Sequence, residues 1–278
     1  MFTPSRPDSV VIRFPDFTEL FNSEDPFFKE FLTKTLKSCE VLLLDGTDVT
    51  VEMLGVIYDI VSTNPGFKSM HLGKMEVPLD FRHKNAFKFR DMGYRDARWV
   101  KMDDLLAIRN SGSVTFTRTN FTNAQVNTFI KYWINCEETM FHCLTLGLAE
   151  VMDAGVLFED IATLQIARGS WDIYFFSSNP GLPPTCLTMS YSDSELHFTK
   201  ATVENIGAPQ GRLHEFHQRH FQILQNFERL RAVEESLALP DVENPDQVRA
   251  TIDRIKRELE MEGVTFENGI AKVVIYNF

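Results

Sequence analysis

The feature that most constrains this chain is a short apolar alternation that returns at a nearly fixed distance. Leu42 and Leu44 stand 28 positions before Met70 and Leu72, and Val114 and Phe116 stand 30 before Leu144 and Leu146. Apolar residues at every second position read as strands buried on one face. A helical pattern lies between the members of each pair. Met53, Leu54, Ile57, Ile60 and Val61 follow Thr50 at helical spacing, and Asn64-Pro65-Gly66 stops the run. Val126, Phe129, Ile130 and Trp133 follow Thr122 in the same way. Thr50 is placed to cap its helix, and Thr122 with Gln125 has the spacing of a capping box. A helix between two strands allows them to run parallel, so residues 41–44, 70–72, 114–116 and 144–146 are expected to be neighbouring parallel strands of one sheet. A strand–helix unit every 28 to 30 residues predicts the α/β class and, within it, an irregular leucine-rich-repeat-like strand–helix solenoid. Between Leu72 and Val114 there is room for a less regular unit.

From about Gly155 the pattern changes. Residues 171–176, 186–191 and 195–199 read as short strands, and 213–235 and 246–261 as helices. Phe216, His220, Ile223, Phe227 and Leu230 line one side of the first helix, and Val248, Ile252, Ile255 and Leu259 the inner side of the second. Gly263 is placed to end that helix. Asn268-Gly269, between two β-rich runs, predicts a hairpin. The expected organisation is an N-terminal extension over 1–38, the repeat domain over 39–210 and a C-terminal α+β extension over 211–278.

Charge and motifs narrow the function. The net charge is -11, and no run of Lys and Arg is evident, so nucleic acid is not an expected partner. No apolar run reaches the roughly 18 residues needed to cross a bilayer, so no membrane partner is expected either. The first residues lack a signal-peptide pattern, which predicts a cytoplasmic protein with the nucleus also open to it. Cys39, Cys136, Cys143 and Cys186 form no C-x-x-C pair and read as free, buried thiols. Phosphate loops, nucleophile elbows and paired-histidine metal motifs are missing from the sequence. The expectation is therefore no enzyme activity, no cofactor and no metal. His214, His217 and His220 share one helix without a second converging segment, and read as a solvated face rather than a metal site. Asp103-Asp104, Glu137-Glu138, Glu159-Asp160 and Glu234-Glu235 read as solvated surface, since adjacent acids on a helix do not face each other. Asp172 is expected to face water by strand alternation.

One stretch carries a more specific pattern. Asp104, Leu105 and Leu106 are followed by Asn120, Phe121 and Thr122, then by Asn127, Phe129, Ile130, Lys131, Trp133 and Ile134, and finally by Leu144 and Leu146. This combination resembles the core of the type 2 F-box-associated domain of nematode F-box proteins. Tyr132 and Cys136 depart from it, standing where that family often carries His and Gly. Residues 1–48 do not read as the helical F-box that usually precedes the domain. The resemblance implies a protein-binding module that recognises substrates for an SCF-type ubiquitin ligase. Skp-type adaptor and cullin are implied partners only through a cryptic F-box. The alternatives are a stand-alone interaction protein and an enzyme with an unrecognised site. Read from the residues themselves, the motif positions are structural. Phe129, Ile130 and Trp133 are expected to pack on strands 114–117 and 143–146, and Asn120 to hydrogen-bond a turn backbone. A partner surface is then expected along an exposed side of the strand stack.

Overall fold

The alternating apolar segments become parallel strands that follow the order of the sequence. The computed structural model describes residues 9–13, 26–37, 39–46, 49–168, 171–177, 185–192, 194–202, 211–238, 244–267 and 269–274. Among these, the mixed α/β chain forms twelve strands and seven helices. They group into two units, Met1–Gln125 with Glu138–Val151, and Val126–Glu137 with Met152–Phe278.

The first unit holds β1 (Ser9–Arg13), β2 (Val41–Asp45), β3 (Ser69–Leu72), β4 (Asp91–Asp96), β5 (Ser111–Arg118) and β6 (Phe141–Gly147). Each is parallel to the next. The repeat spacing predicts the register. Leu42 pairs with Met70 and Leu44 with Leu72, while Val114 pairs with Leu144 and Phe116 with Leu146. The less regular unit is β4, which pairs Met70 with Met92 and Met92 with Val114. Both steps are only 22 residues, because little or no helix intervenes. Turns fill the stretch before β4, and the five-residue α3 (Met102–Leu106) follows it. β1 was not expected. It extends the stack from within residues 1–38, with α1 (Pro26–Leu36) leading to β2.

Caps behave as the sequence chemistry requires. The Thr50 hydroxyl accepts from the Met53 N–H at 3.2 Å and starts α2 (Val51–Ser62). The Thr122 hydroxyl accepts from the Gln125 N–H at 3.3 Å, and the Gln125 side-chain Oε1 accepts from the Thr122 N–H at 3.1 Å. That reciprocal pair starts α4 (Asn123–Ile134). One face of β2 to β6 is buried through Leu42, Leu44, Met70, Leu72, Met92, Tyr94, Val114, Phe116, Leu144 and Leu146. Tyr94 stacks on Phe116, with centroids 5.3 Å apart, and Trp99 leans on both Tyr94 and Phe81. Tyr58 of α2 stacks on Phe81 and Phe89. Burial pushes the Tyr58 and Tyr94 hydroxyls well above the usual phenol range.

In the second unit β7 (Leu164–Arg168), β8 (Trp171–Ser177), β9 (Thr185–Ser192) and β10 (Glu195–Thr202) form an antiparallel meander. The short α5 (Ala154–Leu157) precedes it. The hairpin pairs β11 (Val264–Glu267) with β12 (Ile270–Val274), closing at Glu267 and Ile270 with Gly269 at φ 77. β12 also runs parallel to β7. α6 (Gly211–Leu237) and α7 (Pro245–Met261) are close to the helix spans read from the sequence. Gly263, at φ 78, ends α7 in the left-handed region as expected. Residues 211–278 are not set apart. Leu164, Ile166 and Phe175 share one core with Ile223, Phe227, Leu230, Ile255, Leu259 and Val273. Two amphipathic helices cannot bury their apolar faces alone, so they take the inner face of the neighbouring strands.

Candidate binding face

A parallel sheet is normally covered on both faces. In the first unit the strands alternate instead, and one face carries polar and small residues. Val11, Leu43, His71, Gly93, Thr115 and Thr145 stand in one registered row across β1 to β6. Val11 is exposed and the rest are half-buried. A second row runs Val41, Ser69, Asp91, Ser113 and Cys143. Asp91 organises that row. Its carboxylate accepts from the Ser113 N–H at 3.0 Å and from the Ser69 hydroxyl at 3.2 Å. Burial lowers the His71 pKa, against the opposing pull of the Asp91 charge. The His71 ring lies over Gly93, and a Cβ there would collide with the imidazole. Ser69 donates to the carboxylate rather than to His71, so these three residues lack the nucleophile–base geometry of a hydrolase.

The C-terminal ends of β3 to β5 carry the strongest charge arrangement. Asp96 ends β4 with an 8% exposed side chain, and Arg98 grips it through Nε at 2.8 Å and a second guanidinium nitrogen at 2.6 Å. Burial raises the Asp96 pKa, but the hydrogen bonds from Arg98 and the charges of Arg98 and Arg118 together hold it below the usual carboxylate range. Glu76, 80% exposed, lies 3.8 Å from Arg98 and 3.6 Å from Arg118. The same Glu76 lines a small depression with Thr50, Val51, Leu54, Met75, Val77, Pro78 and Phe81. Residues 82–98 hold six Lys or Arg against two Asp, but they do not converge on this end of the sheet, since Arg90 stands at the N-terminal end of β4 and Arg98 follows its C-terminal end.

The motif residues lie mostly away from these features. Leu105, Phe129, Ile130, Leu144 and Leu146 are buried, as is Trp133, while Leu106 and Ile134 are half-buried. Phe129 and Trp133 both meet the ring of Phe198 edge-on, with centroids 5.5 Å apart. Asn120 donates to the Arg98 carbonyl at 3.2 Å, bridging to the preceding turn. Asn127 is buried and donates to the carbonyls of Leu157 at 3.0 Å and Glu159 at 2.9 Å. Thr122 is half-buried and spent on its cap.

Other readings change. Cys143 is exposed and Cys136 half-buried, so only Cys39 fits the buried-thiol expectation among the described cysteines. His220 is buried and stacks on Phe175 at 5.9 Å, which removes it from a solvated face. The side chains of His214 and His217, and all of Asn268, lie outside the described residues. The paired acids lie at the surface as expected, with Asp103, Glu137, Glu138, Glu159, Asp160, Glu234 and Glu235 exposed, and several hold partners there. Glu138 pairs with Arg109 at 2.6 Å, Glu234 with Lys256 at 2.8 Å, and Asp104 caps the Lys101 N–H.

Residues 80–146, from just before β4 almost to the end of β6, match the family model described as F-box associated. The match spans 67 of the 278 residues, and over that stretch the chain is similar to F-box-associated domains. No curated protein and no solved structure matches it. Among the described residues no helix is long and apolar enough to cross a membrane.

Proposed function

We propose that the chain is a protein-binding module that works without chemistry of its own, in the manner of the substrate-recognition domain of an SCF-type ubiquitin ligase. The observation that carries this reading is a coincidence in place. The F-box-associated match at 80–146 falls on the strands whose outer face is left half-buried or exposed. A solenoid-like stack binds through such an extended face. On this reading the module is of the type found in nematode F-box proteins and acts in the cytoplasm or nucleus. Nucleic acid, membrane and cofactor have no part in it.

The test is affinity capture of the full chain followed by mass spectrometry. Skp-type adaptor and cullin peptides, enriched over a control bait, are the expected result for the ligase role. Specific partners without adaptor or cullin would move the reading to a stand-alone interaction protein. Capture of nothing above the control would count against a binding module altogether.

A further inference from the structure

His83 sits where a proton changes what its neighbours can do. Its side chain is 13% exposed, and its ring stacks on Tyr58 with centroids 5.2 Å apart and faces Phe81 at 6.5 Å. Nδ1 accepts from the Asn85 N–H at 3.3 Å. The neutral ring therefore carries its proton on Nε2, which lies 3.4 Å from the Asp59 carboxylate. The buried Asn85 side chain donates to the Ser62 hydroxyl at 2.9 Å and to Asp59 at 3.4 Å. Asp59 and Ser62 belong to the last turn of α2, so these contacts fasten residues 83–85 to its end. The charged groups facing the ring are Asp59 from α2 and Lys84 and Lys88 from its own segment. Arg82 turns instead to the carbonyls of Phe81 and Trp99.

We propose that His83 is a proton-operated latch, which fastens the segment from Phe81 to Phe89 against α2 when neutral and loosens it when charged. A proton on Nδ1 removes the acceptor of the Asn85 N–H and sets two donors against each other. The new charge also lies on a ring with little access to water, beside two lysines. Two effects oppose the release. Asp59 attracts the proton, and a cation over the Tyr58 ring gains a cation–π contact. Asp59 is 63% exposed and shared with Asn85, so its pull is screened. Burial, the largest influence, pulls the His83 pKa below the usual imidazole value, against Asp59 and with Lys84 and Lys88. The folded value is the lower one, so the latch is fully closed above the unfolded value of about pH 6.5 and weakens as pH falls below it. The segment opens the F-box-associated match at 80–146, but the latch operates whether or not the chain is a protein-binding module.

The test is amide hydrogen exchange of the full chain, read by mass spectrometry between about pH 7.5 and about pH 5.5, with rates corrected for the intrinsic pH dependence of exchange. Peptides covering 82–89 are expected to lose protection several-fold as pH falls, while those covering β5 and β6 keep theirs. His83→Gln supplies an amide oxygen that accepts from Asn85 and does not titrate, so protection of 82–89 should stay level with pH. His71→Gln should behave like the parent, although burial lowers the pKa of that histidine too. Asp59→Asn removes the carboxylate that favours the charged ring and should deepen the acid loss, which keeps the test decisive if His83→Gln folds poorly. The proposal is overturned if 82–89 of the parent keeps or gains protection in acid, if His83→Gln loses as much as the parent, or if Asp59→Asn blunts the loss.

Discussion

Replacing Gly147 by alanine should break the edge of the parallel stack. Gly147 ends β6, and a Cβ there would fall onto the Thr117 carbonyl oxygen, far inside the 3.0 Å that real Cβ atoms essentially never undercut. The Cβ has no torsion with which to move aside, and the obstacle is backbone, so β5 and β6 must separate. Separation also strains the buried bond from the Thr119 hydroxyl to the Gly147 carbonyl, 2.6 Å long. Overpacking costs about 1–3 kcal/mol, and a buried polar group left unpaired costs a further ~1–3 kcal/mol. A loss on the order of 4 kcal/mol lowers the melting temperature by roughly 8–16 °C for a chain of this size. Gly55 gives the internal comparison. It sits inside α2 with nothing within 4 Å of its missing Cβ. Gly55→Ala should therefore gain about 0.5–1 kcal/mol from helix propensity and melt a few degrees higher. Far-UV circular dichroism melts of the two variants and the parent decide the matter. If Gly147→Ala melts with the parent, or if both variants shift in the same direction, the steric argument is wrong.

Trp133→Ala should cost about 3–5 kcal/mol, since the ring is 4% exposed and meets Phe129 and Phe198; urea unfolding with an unchanged midpoint would refute that packing. Thr122→Ala removes one half of the capping box at α4 and should cost about 1 kcal/mol, again read from the urea midpoint. The Asp96 carboxyl is held below its unfolded value, so its stabilisation is complete above about pH 4 and is lost as pH falls through the folded-state value. Asp96→Asn should flatten the acid limb of the stability profile, and an acid limb identical to the parent's would remove Asp96 from it.

Much of the architecture was legible from short windows of sequence. Local periodicity marks which residues form a strand or a helix, and cap chemistry marks where helices start. Thr50, the Thr122–Gln125 box, Gly263 and the turn at Gly269 all act within a few residues of themselves. The similar spacings of Leu42 with Met70 and of Val114 with Leu144, 28 and 30 residues, even foretold register, because helices of similar length set similar offsets between their strands. β4 broke that period with steps of 22, and it showed only as room for an irregular unit. What the tertiary structure alone decided is which distant segments meet. β12 lies beside β7 more than a hundred residues earlier, Phe198 receives Trp133, and Arg118 comes to Glu76. It also decided that Gly55 has space while Gly147 has none. Such contacts depend on chain closure over long separations, where no local propensity distinguishes one partner from another. The candidate site belongs to that second kind, since its residues come from four separate segments and share no spacing that a reading of the sequence could test.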